Sequence, residues 1–388
     1  MSSVGDRLLS VLKAVLPQDG AKALHEPEFA GNEWTYTKEC LDSGWVSSAG
    51  KFVDRFEIQL AEFTGARHAV AVVNGTAALQ VAIALAGVRR GEEVVMPALT
   101  FVATANAVAH CGAIPHFVDS EEASLGIDAE ALRAHLEHIA ERSGGGWRNR
   151  ITGRRLAALV PMHALGHPAS MPRILEVAAS YALPVIEDAA ESLGSTLEGR
   201  HTGTFGLAGA LSFNGNKIVT TGGGGAILTD DAELARHAKH LTTTAKRAHA
   251  WEFFHDEVAF NFRLPNLNAA LGCAQLERLP DMLARKRLLA ERYRRQLAPH
   301  AELRFIDEPR GSRSNFWLNA VRFEPASLSE RNAILSALIE AGYQCRPLWT
   351  LMHRLPMYQH CPRAALPVAE QLEVSVIELP SSASLFRD

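Results

Sequence analysis

Short apolar runs recur along the chain, each ended by a turn residue and followed by a segment with helical spacing. Ala69 to Val73 is one such run; Asn74-Gly75-Thr76 closes it and an alanine-rich stretch follows. Val94 and Val95 form another before Pro97, and Phe101 opens the helix after it. Pro184 to Ile186 and Gly209 to Phe213 read the same way. Runs that are apolar throughout suit strands covered on both faces, so alternation from about Ala66 to Leu241 predicts a mainly parallel sheet between helices. The run after Ala69 is long enough to raise a membrane helix, but Asn74, Gly75 and Gln80 argue for strand plus helix. From Asn261 onward a helical stretch leads into a smaller C-terminal domain. The expected divisions are an N-terminal arm (1–45), a large domain (46–262) and a smaller α+β domain (263–388). In the arm, Leu8, Leu9, Leu12, Val15 and Leu16 share one helical face. Lys13 interrupts that stretch and no cleavage site follows, which argues against a signal peptide. The face is expected to dock on a second subunit.

Composition narrows the classes. The chain has 388 residues, 47% hydrophobic, enough for a large core. A net charge of -4 gives no drive toward nucleic acid or an acidic membrane. Cys40, Cys111, Cys273, Cys345 and Cys361 are scattered, without metal-site spacing, and read as reduced thiols of a cytoplasmic protein. No metal site is expected.

Candidate chemistry centres on Lys217, which lies between Ser212 and the glycines 222–225. Lysines in poorly solvated sites serve as nucleophiles toward carbonyl compounds, pyridoxal phosphate among them. About 30 residues earlier, Glu187-Asp188 ends an apolar strand, where ligands of open α/β sheets gather. A carboxylate there can hold the pyridine nitrogen of that cofactor protonated. A plainer role for Asp188 is to cap a helix from Ala189 to Leu193. Gly75 and Thr76, between a strand and a helix N-terminus, offer backbone N–H groups and the positive dipole end to a phosphate. Phe101 is placed to stack on a flat heterocycle or to fill the core.

With "SGWVSSAGKFVDRFE", "NGTAAL", "VIEDAAESLGS", "LSFNGNKIVTTGGGGA" and "FNFRLPNLNAALGCAQLERL" in this order, the chain resembles the DegT/DnrJ/EryC1/StrS sugar aminotransferases from about Leu41 to Leu379. The resemblance implies an aspartate aminotransferase-like α/β fold, pyridoxal 5'-phosphate as cofactor and a nucleotide-linked keto sugar as substrate. It makes Lys217 the Schiff-base lysine and Asp188 the partner of the pyridine nitrogen. Gly75, Thr76, Ala77 and Ser212 would hold phosphate, with Phe101 and Ala190 on the two ring faces. Asn261 would reach the phosphate of a neighbouring subunit, which implies a homodimer with shared sites. Glu191 departs from the Gln or His common there; a carboxylate would face the cofactor's 3-oxygen and repel it unless protonated, turned or bridged.

His163 matches a family position near the cofactor, and Arg346, Trp349 and His353 lie where relatives cap the substrate. His240, His249 and His255 are further candidates around the sugar. The arginines of "RSGGGWRNRITGRR" are candidates for a diphosphate, though a solvated loop is the default. The closest likeness is to the subgroup aminating UDP-4-keto-6-deoxy-N-acetylglucosamine, with L-glutamate as donor, for legionaminic acid or bacillosamine-type glycans. A dTDP- or GDP-linked sugar, a 3-keto sugar, or a non-catalytic regulator on the same fold are the alternatives. Dehydratases of this fold typically carry histidine at the lysine position, so Lys217 argues against that activity.

Overall fold

The computed structural model describes residues 3–386. Its central sheet runs, in spatial order, through His68–Val72, Gly225–Thr229, Ala208–Ser212 and Ile186–Asp188. Bridges from Val185 to Leu159 and from Asp188 to Met162 join it to Leu156–Leu159, Glu93–Pro97 and Ile114–Val118. The described pairings at this junction and beyond it are parallel, while Gly225–Thr229 is antiparallel to both of its neighbours. The strands are buried almost throughout, which is why they read as unbroken apolar runs rather than alternating ones. The mainly parallel sheet expected from the sequence is therefore present.

A second sheet lies C-terminal in the chain, in the order Leu303–Phe305, Asn319–Phe323, Val376–Leu379, Arg346–Pro347, with antiparallel pairing throughout. One helix, Asn266–Leu297, serves both bodies. At 1.5 Å per residue it is about 48 Å long. Ala269, Cys273 and Leu276 near its start belong to the large core, and Leu289, Tyr293 and Leu297 near its end to the second core. The boundary drawn at residue 262 thus falls just ahead of an element common to both.

The N-terminal helix Ser3–Val15 corrects one expectation. Its apolar face does not await a second subunit, because Leu8, Leu12, Val15 and Leu16 are buried with Tyr293, Leu338 and Phe386 in the chain's own second core. The physical reason is simple: the second sheet needs an apolar cover on the side away from the large body, and this helix supplies part of it. No helix among the described residues is long and apolar enough to cross a membrane. All five cysteines are unpaired.

Leu12 is fully buried. Leu12→Ala should therefore cost about 2–5 kcal/mol of stability, read by denaturant unfolding, and leave the sedimentation behaviour of the native protein unchanged. A shift in oligomeric state without loss of stability would show that the face serves association instead.

Candidate active site

A cavity of about 380 Å³ opens at the C-terminal ends of the parallel strands, between the large body and the second sheet. Ile186–Asp188 delivers two neighbouring acids to opposite faces, as strand alternation requires. Asp188 lines the cavity. Its Oδ2 accepts from Thr104 Oγ1 at 2.6 Å and its Oδ1 from the Ala190 N–H at 3.1 Å. Burial raises its pKa, and those two hydrogen bonds oppose the rise. The chain turns after Asp188 instead of starting a helix, so the helix-cap role is absent. Glu187, facing the other way, accepts from the Gly203 and Gly206 N–H groups at 2.8 and 2.7 Å and braces the loop behind the site.

The floor at the other end is the start of helix Gly75–Leu85. A Cβ on Gly75 would lie 2.9 Å from the Ser212 Cβ, so a larger residue would push the two apart. Gly75, Thr76 and Ser212 line the cavity here, a helix N-terminus with hydroxyls beside it. Ala77 does not line it: the Asn74 side chain accepts its N–H at 2.8 Å as the helix cap. Phe101, half exposed, and Ala190 also line the cavity. This donor set, hydroxyls and N–H groups at a helix start with a buried acid in the same cavity, fits a flat ring with a phosphate arm.

Lys217 enters from a turn after strand Ala208–Ser212. Its Nζ donates to Glu191 Oε1 at 3.2 Å and sits 3.7 Å from the centre of the Trp317 ring. Glu191 is buried, and its Oε2 accepts from the Leu165 N–H at 2.9 Å. Leu165 has a left-handed φ of 57°, so the loop is held in a conformation leucine disfavours and its amide is aimed at the acid. Asn315 locks this corner: its Nδ2 donates to the Glu191 and Leu193 carbonyls and its Oδ1 accepts from the Trp317 N–H. Gly166, at φ 95°, leaves room for that, since a Cβ there would come within 1.9 Å of Asn315 Oδ1.

Other expected residues fall elsewhere. His163 is fully buried behind Asp188 with both ring nitrogens engaged: Nδ1 accepts from the Ala169 N–H, and Nε2 then donates to Glu187. It does not line the cavity. Arg346 is exposed and bonds to the Cys345 carbonyl and Gln344, and His353 lies beside Glu370; neither lines the cavity, whereas Trp349 does. Asn261 is exposed outside its own chain's cavity, accepting from Arg263 Nε at 3.0 Å. His240 and His255 fasten the 243–256 loop through Asp256 and the Thr244 carbonyl, and His249 accepts from the Glu252 N–H. Arg148 and Arg155 pair with Glu141 and Glu92, away from the site. Sequence reasoning missed Trp317 and Glu378, which both line the cavity from the second body. A signal for Glu378 was there: a lone acid inside the apolar strand Val376–Leu379.

A lysine held over a cavity, an acid at a strand end and a helix start beside them suit pyridoxal-phosphate chemistry. The chain belongs to the DegT/DnrJ/EryC1/StrS aminotransferase family, which matches residues 27–388. It is 36% identical to the GDP-perosamine synthase of Caulobacter vibrioides over 367 residues, covering 92% of each chain. It is 34% identical to the GDP-perosamine synthase of Vibrio cholerae over 366 residues, covering 94% of this chain and 95% of that one. Among solved structures, the aminotransferase TlmJ from Streptoalloteichus hindustanus superposes with a TM-score of 0.84 at 30% identity, covering 94% and 95% of the two chains. The two synthases are named for a GDP-linked sugar, not for UDP-4-keto-6-deoxy-N-acetylglucosamine, to whose enzymes the sequence motifs were likened.

Burial raises the Glu191 pKa, with the Asp188 charge adding to it, while Lys217 and the Leu165 N–H pull it down without winning. An acid whose folded pKa lies above its unfolded value releases its proton first in the unfolded chain, so it costs stability as pH climbs past the unfolded pKa of about 4.3. In thermal melts of cofactor-free protein, Glu191→Gln should therefore gain on wild type between about pH 4.5 and 7. A gap that stays constant or closes over that range would mean Glu191 ionises as readily in the fold as outside it.

Proposed function

We propose that the chain transfers the amino group of L-glutamate to a GDP-linked 4-keto-6-deoxy sugar, in the making of a surface polysaccharide. The observation that carries the chemistry is the Lys217 amine, held at 3.2 Å from Glu191 over a cavity that Asp188 also lines. The choice of GDP is supported by the two GDP-perosamine synthases that match this chain along more than nine-tenths of its length.

In this reading Gly75, Thr76 and Ser212 bind the cofactor phosphate, and Phe101 and Ala190 confine its ring. Asp188, fixed by Thr104 and Ala190, keeps the ring nitrogen protonated. When bound, pyridoxal phosphate supplies an electron sink for the carbanion left as a proton departs. Lys217 Nζ relays protons: it takes one from the donor's α-carbon in the first half-reaction and delivers one to the sugar carbon in the second. Glu191 and Trp317 hold that amine in line when it is free. The two half-reactions alternate in one cavity, so turnover is ping-pong.

We further place Asn261 in the site of a second copy. Its exposure outside its own cavity supports this, as do Trp251, Phe253 and Val258 on the preceding loop, which are 77%, 81% and 99% exposed.

Three outcomes test the reading. Borohydride reduction of the holoenzyme should fix the cofactor on Lys217, read by peptide mass spectrometry; labelling of another lysine would refute the assignment. Asp188→Asn should retain cofactor while kcat falls about 100- to 1,000-fold, whereas Glu191→Gln loses no more than about tenfold, since an amide still bonds Lys217. Mixing inactive Lys217→Ala with inactive Asn261→Asp subunits should restore activity, because exchange creates dimers with one undamaged site. Continued inactivity after demonstrated exchange would place Asn261 within its own chain. Product analysis with GDP-, UDP- and dTDP-linked keto sugars decides the nucleotide.

A further inference from the structure

Glu378 stands in a place where the fold alone gives an acid no reason to be. Its strand, Val376–Leu379, lies inside the second sheet, paired on both edges. Ile377 and Leu379 point into the second core with the N-terminal helix, so by alternation Glu378 points the other way, toward the large body. There it lines the cavity with Lys217, Glu191 and Trp349. It is 4% exposed, and its Oε1 has no hydrogen-bond partner among the described residues. Arg346 is its cross-strand neighbour, yet that guanidinium turns to the Cys345 carbonyl and Gln344. A buried carboxyl oxygen without a partner is costly, and a well-packed leucine would avoid the cost.

We propose that Glu378 is a specificity-determining residue whose carboxyl group hydrogen-bonds a hydroxyl of the sugar ring. This deepens the nucleotide-sugar reading and rests on it. The position fits: the phosphate end of the cavity is occupied by the helix start at Gly75, and Glu378 faces the end where Lys217 presents its amine. The charge pattern fits as well. Burial holds the Glu378 carboxyl well above the usual range and the Glu191 charge pushes the same way, while Lys217 and Arg346 pull it down without prevailing. A carboxyl that keeps its proton both donates and accepts, which matches a hydroxyl. Ring hydroxyls are the neutral groups that a nucleotide-linked sugar presents next to its reacting carbon.

The test uses holoenzyme and measures binding by calorimetry, with GDP alone and a GDP-linked 4-amino-4,6-dideoxyhexose as probes, beside their UDP and dTDP counterparts. With whichever amino sugar wild type binds, Glu378→Leu should raise Kd about tenfold and Glu378→Gln no more than about threefold, since the amide oxygen still accepts. Binding of the bare nucleotide should be unchanged in both. Cofactor-free Glu378→Leu should also melt about 2 °C higher than wild type, because an unpartnered acid has left the interior. A residue kept for structure would give the opposite sign. Unchanged amino-sugar Kd in Glu378→Leu, or a lower melting temperature with both probes weakened alike, overturns the role of Glu378 and leaves the reaction standing. Failure of wild type to bind any of the nucleotide sugars refutes the nucleotide-sugar reading itself, and the role of Glu378 with it.

Discussion

The site is arranged around one amine, that of Lys217, and the way this chain holds it at the cavity. Lys217 is gripped from two directions by parts of the chain that are far apart in sequence. Glu191 comes from the large body and accepts its proton; the face of Trp317 comes from the second body and takes its charge. Neither contact would persist if the two bodies drifted, and Asn315 ties them by bonding the Glu191 carbonyl and the Trp317 amide together. Ser195 and Ser314 add to the tie, since both hydroxyls donate to the Gly166 carbonyl. The loop 163–166 is thus pinned from both sides, which is what keeps Leu165 in its left-handed conformation with its amide on Glu191.

Glu187 and Asp188 show how a single strand divides its labour. Adjacent on the backbone, they face opposite ways, and one becomes a brace while the other faces the cavity. Glu187 satisfies two backbone amides and His163, filling its acceptor sites from within the protein. Asp188 bonds Thr104 and Ala190 and still presents its carboxyl to the open side. His163 sits between them in sequence logic but belongs to the brace, which explains why a histidine beside the cofactor strand does not enter the cavity.

What could be read from the sequence was what is local. The strand ends at Asp188 and Ser212, the turn at Gly75 and the lysine turn after Ser212 each carry their signal within a few residues, and the fold brings these together. Contributions that arrive through packing were not legible. Trp317 lies a hundred residues downstream of Lys217, in the bend before strand Asn319–Phe323, where no local pattern marks it; the lone acid Glu378 is a signal, but its strand's register is not written locally. The N-terminal helix was seen as amphipathic, yet an apolar stripe does not say whether its cover is another molecule or the same chain. The likeness to the UDP subgroup rested on short motifs, whereas the relatives matched along nearly the whole chain include two GDP-perosamine synthases.

The helix Asn266–Leu297 begins in one core and ends in the other. An element embedded at both ends ties the two bodies together, and Pro280 interrupts its hydrogen bonding midway. The groups that reach the cavity from its two sides include an acid, Glu378, an indole face, Trp317, and a lysine with an acid partner of its own, Glu191.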